Sequence, residues 1–315
     1  MEQRVVAVGG VTTIVREAGP DDVDRLVELY QRLSLEDIHR RFFSTFRPDP
    51  RFVTGWIANA DKGGIVLVAV EGDEGRIVAD AGYVPTGPDI AELAITVDPD
   101  RRGWLGPYLL DALVEHAREH GVRVLEAEVL AENCSMLGML RARGCALRPS
   151  TDLTTAQVLI ATEGDAPVWP ADGERPKVLV EGGSRSWGGA VAASRDELDV
   201  LVCPGPSRGR IRPCPLLHGD RCPLVDEADA VVVVLPPGEP SSEAISSAHD
   251  PDLVVRPERG ASGAEVLDAV RQVVDRRRRD AVEAVDPPEP DTSDTGSPGS
   301  GRSGSDPDQG SRDAR

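Results

Sequence analysis

The stretch AELAITVDPDRRGWLGPYLLDALVEHAREHG, residues 91–121, restricts the fold more than any other part of the chain. An apolar strand runs into an Asp/Arg/Gly turn. A helix then spans about Leu105 to His120, with Leu109, Leu110, Leu113 and Ala117 on one face and Gly121 as its stop. The buried strand VRVLEAEVL (122–130) follows. The result is a β-turn-α-β unit whose helix points its unpaired N–H groups and the positive end of its dipole at the turn, a favourable place for an anion. Gly103 and Gly106 suit either a phosphate cradle or simply a tight strand-to-helix turn.

The preceding residues predict a strand at 11–17 and a helix capped at Gly19-Pro20-Asp21-Asp22, carrying Val23, Leu26, Val27, Tyr30 and Leu33. A second helix is capped by Ser34, with Asp37 at capping-box spacing. Strands are expected at 64–71, 76–84 and 90–97, the first two joined by a hairpin at Gly-Asp-Glu-Gly. After residue 130 the pattern gives a helix from Asn133 to Arg143, stopped by Gly144, and a closing hairpin through Ala146 and 153–161.

Three landmarks in this order resemble the GNAT superfamily of N-acetyltransferases. The strand–turn–helix resembles its [RQ]xxGx[GA] element, with Arg101, Arg102, Gly103 and Gly106 on the loop. AENCSMLGMLRARGCAL (131–147) fits the N-x-x-M…G pattern through Asn133, Met136 and Gly144. RLSLEDIHRRFFSTFRP (32–48) is similar to the "LSPES…RFF" segment of GNAT domains in bacterial protein lysine acetyltransferases. The fold class expected is therefore α/β: an α+β GNAT domain over 1–162 with a mixed, largely antiparallel sheet, a linker at 163–176, and a second small doubly wound α/β domain over 177–280.

The resemblance implies acetyl-CoA as co-substrate, with its pyrophosphate on Arg101, Arg102, Gly103, Trp104, Leu105 and Gly106. Ile95, Thr96, Val97 and Asn133 complete the cofactor-binding set, and a backbone N–H near Ile95–Val97 polarises the thioester carbonyl. The loop reads R-G-W-L-G where R-G-x-G-x-G is the family form, so one glycine is missing, and Trp104 either stacks on the cofactor or plugs its groove. Ala91-Glu92-Leu93-Ala94 matches the "AE(V/I)A" strand of the protein acetyltransferases. It nominates Glu92 as the catalytic base, with a pKa raised by a hydrophobic cleft; the alternative is a solvated residue on the open face of the sheet. Many GNAT enzymes place an acid tyrosine where this chain has Leu140, and Tyr108 is expected to pack. His116 and His120, at i,i+4 spacing among charged residues, read as a solvated helix face in preference to a metal pair.

Beyond the linker, KVLVEGG (177–183), DVLVCPG (199–205), DAVVVVLPPG (229–238) and DLVVRP (252–257) look like parallel strands, with a last helix at 262–279. The spacing resembles a degenerate receiver-like or Rossmann-like unit. The strand ends Glu181-Gly182-Gly183 and Leu235-Pro236-Pro237 lack a phosphoacceptor constellation, and 181–189 does not form GxGxxG. Cys203, Cys214, His218 and Cys222 (C-x10-C-x3-H-x3-C) leave open ordinary core cysteines, a metal site or a redox pair. The tail 281–315 has the composition of a disordered segment.

A formal net charge of -19 opposes binding to nucleic-acid phosphates. No apolar run approaches the ~20 residues of a bilayer span, and MEQRVVAVGGVTT lacks a cationic n-region before an apolar one. The expectation is a cytoplasmic N-acyltransferase acting on a primary amine, which includes a protein lysine, with no membrane or nucleic-acid partner. The rival is a weak or inactive acyl-CoA sensor acting through its C-terminal domain.

Overall fold

A computed structural model describes residues 4–285 except 9, 73, 150, 151, 153, 165–166, 171–173, 183–193, 195, 204, 206–210, 212–213, 235–239 and 259. Contacts divide the chain into one compact unit, Met1–Arg277, and a second, Arg278–Arg315. The expected strand ends Gly183 and Leu235-Pro236-Pro237, and most of 181–189, lie outside the described residues. So do residues 286–315 of the expected disordered tail.

The chain opens with β1 (Arg4–Val8) and β2 (Val11–Glu17), then α1 (Val23–Arg32), α2 (Leu35–Phe42) and α3 (Pro50–Ile57). The meander β3 (Ile65–Glu71), β4 (Arg76–Pro85) and β5 (Ile90–Val97) leads into α4 (Leu105–Glu119), β6 (Val124–Leu130), α5 (Cys134–Ala142), β7 (Ala146–Arg148) and β8 (Thr155–Ala161). The remainder contributes β9 (Lys177–Glu181), β10 (Asp199–Cys203), α6 (Pro223–Asp226), β11 (Ala230–Val233), α7 (Pro240–Ser247), β12 (Val254–Val255) and α8 (Gly263–Val285). Sequence reading missed β1, α3, α6 and α7. It ended the last helix at residue 279, six residues short of Val285.

All described strands join one sheet in the order β1-β2-β3-β4-β5-β6-β8-β7-β10-β9-β11-β12. From β1 to β5 the neighbours are antiparallel, β5 and β6 are parallel, and β8 pairs antiparallel with both β6 and β7. The fold is thus mixed α/β with a largely antiparallel sheet. The last four strands run parallel, and β10 meets β7 antiparallel at a single register position, Val202 opposite Leu147.

The apolar faces of α4 and α5 cover one side of the antiparallel strands: Leu105, Leu109, Leu110 and Leu113 are fully buried against Leu67, Ala81 and Leu125. Helices α1 and α3 cover the other side through Leu26, Leu29, Tyr30 and Val53. Within 163–176, read from the sequence as a linker, Trp169 is buried and its indole N–H donates to Leu224 O at 3.0 Å. It packs in one cluster with Ile90 and Val124 from the first half and Leu179, Leu201 and Val231 from the second. Among the described residues no helix is long and apolar enough to cross a membrane.

Candidate active site

Strands β5 and β6 pair only at Ile90–Val124, Ala91–Leu125 and Glu92–Glu126. Beyond Glu92, β5 keeps its ladder to β4 and β6 keeps its ladder to β8, so the facing edges diverge. Polar backbone groups along that wedge lack a strand partner and are available to a ligand. The wedge opens into a cleft of about 730 Å³ between Leu93–Val97 on one wall and Ala127–Val129 on the other.

At one end stands the turn. Asp98 is buried, accepts from Arg76 at 2.8 Å and lies 3.8 Å from Arg32. Its side chain also caps Asp100 N–H. Arg101 turns away from the cleft: its Nε donates to both oxygens of Glu71 at 2.9 Å. Burial acts to raise the Glu71 carboxyl, but Arg101 and the Thr13 hydroxyl outweigh it and hold that carboxyl below its usual range. Arg102 faces the cleft and donates from Nη2 to Asp37 Oδ1 at 2.6 Å. Gly103 has φ +96°, a left-handed conformation that a side chain would strain. Gly106 lines the cleft within the first turn of α4, where Pro107 replaces an N–H that has no helical partner.

Of the expected cofactor-binding residues, Ile95, Thr96, Val97, Arg102, Gly103, Gly106 and Asn133 line the cleft, and Arg101, Trp104 and Leu105 do not. Trp104, the N-cap of α4, packs against the main core, and Leu105, the first residue of that helix, is fully buried in it. Asn133 caps α5, its Oδ1 accepting Met136 N–H at 3.2 Å. Tyr108 packs against the core and Leu140 is fully buried in it.

Glu92 lines the cleft at the apex of the wedge. Its side chain is exposed, not enclosed by the hydrophobic cleft expected for it. Glu126, its neighbour across the strands, accepts from Gln157 Nε2 at 2.9 Å.

Sequence reading missed the wall that α2 supplies. Arg41 Nε donates to Thr96 Oγ1 at 3.2 Å, and the guanidinium lies 4.8 Å from the Phe42 ring centroid and 5.4 Å from that of Trp56. Trp56 Nε1 in turn donates to Asp80 Oδ2 at 3.1 Å. Asp80 is fully buried opposite Thr96, and burial pushes its carboxyl above the ordinary value. The signal was a lone Asp inside the run IVADAGYV (77–84), which is otherwise without charge. All four phenylalanines of the chain, Phe42, Phe43, Phe46 and Phe52, fall in this region; Phe42, Phe46 and Phe52 pack edge to face. Phe43, Phe46 and Phe52 are exposed, while Phe42 and Phe43 line the cleft. The opposite rim carries Ile211, whose N–H donates to Ala142 O at 2.6 Å.

His116 is drawn off the solvated face expected for it: its Nδ1 shares a 2.9 Å hydrogen bond with the buried Tyr83 hydroxyl. Burial, together with stacked His120, depresses His116 to about 4, and burial pushes Tyr83 up to about 12. Cys203, Cys214 and Cys222 line one small cavity with Glu181, whereas His218 is exposed. Burial pushes the Cys222 thiol up to about 11. Among the described residues no group of three or more His, Cys, Asp or Glu is arranged to hold a metal ion.

A strand pair splays here over a glycine turn and a helix N-terminus, and residues 32–145 match the acetyltransferase (GNAT) family. Residues 32–145 are thus similar to a GNAT acetyltransferase domain. The chain resembles the acetyltransferase Pat of Mycolicibacterium smegmatis, at 34% identity over 126 residues, 39% of this chain and 38% of that protein. An uncharacterized N-acetyltransferase of Methanocaldococcus jannaschii, MJ1207, is 28% identical over 127 residues, 39% of this chain and 55% of that protein. The chain thus spans between about two fifths and just over half the length of these relatives. The crystal structure of the GNAT domain of S. lividans PAT superposes with a TM-score of 0.46 at 26% identity, covering 50% of this chain and 96% of that one.

Proposed function

We propose that the cleft binds acetyl-CoA and transfers its acetyl group to a primary amine, the side chain of a protein lysine included. The observation that carries this reading is the order of groups along the wedge: an anion-suited turn with Arg102, Gly103 and Gly106 at one end, unpaired β5 backbone between, and a carboxylate, Glu92, at the other. The diphosphate lies at the N-terminus of α4 and the thioester arm runs along β5 toward Glu92. A β5 N–H in the wedge donates to the thioester oxygen, stabilising the negative charge that grows there as the amine attacks. Glu92 takes the proton that the ammonium must lose, and its exposure allows this to run through water. Collapse of the tetrahedral intermediate forms the amide and breaks the C–S bond; the leaving thiolate takes its proton from solvent, since the position of the family's acid tyrosine is the buried Leu140. The exposed aromatic rim at Phe43, Phe46 and Phe52 supports a polypeptide acceptor, whose apolar side chains would cover it. In this reading the parallel-strand half, sharing a core with the first, serves regulation, and the setting is the cytoplasm, where acyl-CoA is available.

Calorimetry with acetyl-CoA and acetylation assays with the wild type and Glu92→Gln test the proposal. Binding with a loss of at least about tenfold in kcat for Glu92→Gln is the expected result. Binding with equal, near-background rates in both would favour a sensor that reports acyl-CoA without turnover. Absence of binding at millimolar ligand would sink both.

A further inference from the structure

We infer that Asp37 is a positioning residue that aims Arg102 at the diphosphate of the acyl donor, and that it thereby ties helix α2 to the donor-binding turn; this rests on the acyltransferase reading above. From the sequence, Asp37 belongs to the cap of α2, and it fills that place: its N–H donates to Ser34 Oγ at 3.0 Å and its Oδ2 accepts the Ser34 hydroxyl at 2.8 Å. The other oxygen, Oδ1, reaches out of the helix and takes Arg102 Nη2 at 2.6 Å, across 65 residues of sequence. Both side chains line the cleft. The carboxylate is 9% exposed and the guanidinium 42%, so a fixed anion holds a cation that ligand can still reach. Burial acts to raise the Asp37 carboxyl, but Ser34, Arg102 and Arg40, whose Nη1 lies 3.7 Å from Oδ1, outweigh it, so the anion persists at neutral pH.

Arg101 and Arg102 adjoin in sequence and part in space. Glu71 takes Arg101 by two contacts from the far side of the turn, so Arg101 is held as structure. Arg102 gives Asp37 only Nη2, and the rest of its planar fork is not engaged by the described residues, which leaves donors suited to phosphate oxygens. Without the Asp37 carboxylate an exposed arginine must be immobilised by the ligand itself, and that ordering cost appears in donor affinity. A group that acts only on the diphosphate leaves the chemical step alone, so its loss shows in KM and not in kcat.

The test uses the full chain with two donors, acetyl-CoA and S-acetylpantetheine, which shares the thioester arm and lacks the nucleotide diphosphate. For Asp37→Asn the expected result is an acetyl-CoA KM raised about three- to tenfold with kcat within about twofold, and a KM for S-acetylpantetheine unchanged within about twofold. In an Arg102→Gln background, which alone raises the acetyl-CoA KM, Asp37→Asn adds nothing further. Equal losses with both donors would show that Asp37 serves only the cap of α2. Additive losses in the double variant, or a lowered KM for acetyl-CoA because Asp37 competes with phosphate, would likewise overturn the inference. Failure of the wild type to turn over either donor would overturn the acyltransferase reading and this inference together, whereas the preceding outcomes overturn the Asp37–Arg102 pair alone.

Discussion

Gly106 separates a glycine kept for the fold from one kept for a ligand. A Cβ built on it would meet Met139 Sδ at 3.7 Å and Val97 Cγ2 at 3.8 Å, ordinary van der Waals distances. Its place in the first turn of α4 asks for no left-handed backbone. Replacing Gly by Ala in a helix gains up to about 1 kcal/mol, and less in a first turn, so Gly106→Ala should be neutral or stabilising by about 0.5 kcal/mol. The apparent Tm then holds or rises by about 1–2 °C. The same methyl projects into the cleft where the diphosphate is to approach the backbone, and one added carbon there keeps ligand oxygens from the N–H groups. Loss of one charge-assisted hydrogen bond, about 1.5–3 kcal/mol, corresponds to a rise in acetyl-CoA Kd of roughly ten- to a hundredfold. Thermal unfolding and isothermal titration on the same preparation give both numbers. A variant that melts several degrees lower would show that Gly106 is a packing glycine, and one that binds acetyl-CoA like the wild type would refute the placement of the diphosphate.

Two further perturbations reach the scaffold. His116 is depressed to about 4 from an unfolded value near 6.5, so its contribution is fully present above pH 6.5 and is lost as pH falls toward 4. The full gap would be worth about 3 kcal/mol; for a partly buried ring, screening reduces this to about 1 kcal/mol. Melting curves from pH 7 to 4.5 should flatten in His116→Gln relative to the wild type, and an NMR titration placing the His116 ring near 6.5 would refute the assignment. Gly82→Ala sets a Cβ well inside van der Waals contact of Ile65 O and 2.9 Å from Trp56 Cζ2, and should cost about 2 kcal/mol or more. Unchanged thermal stability would refute the β3–β4–α3 packing around it.

The meander, helices α1, α2, α4 and α5 and the β-turn-α-β unit were legible because each announces itself within ten or fifteen residues. Leu109, Leu110, Leu113 and Ala117 repeat at helical spacing, and Ser34 and Asn133 cap as their residue types suggest. Helix α3 escaped because PRFVTGWI mixes a β-branched pair with glycine, though Asp49 before Pro50 was a cap in plain view and accepts Phe52 N–H at 2.8 Å. Less of the site could be read. That β5 and β6 part after Glu92 is a property of pairing between strands more than thirty residues apart, and no local pattern carries it. The divergence of Arg101 from Arg102 depends on Glu71 and Asp37, which lie 30 and 65 residues from their respective partners. Glu92 was nominated through resemblance, and its exposure agrees with the alternative also drawn from the sequence, a solvated residue on the open face of the sheet.

The single register position that joins β10 to β7 has a mechanical meaning. A broad ladder resists rotation between its strands, whereas here one register pair, Val202 against Leu147, joins the ladders and side-chain packing around Trp169 holds the two sets of strands together. In the sheet order β7 lies two strands from β6, the wall of the cleft, so three inter-strand spacings, roughly 14 Å, separate β10 from that wall. The packing around Trp169 reaches Ile90 and Val124, at the closed end of the β5–β6 wedge, so the parallel strands and the cleft share side chains as well as a sheet. Hydrogen exchange along β7 is where a loosening of that packing would register.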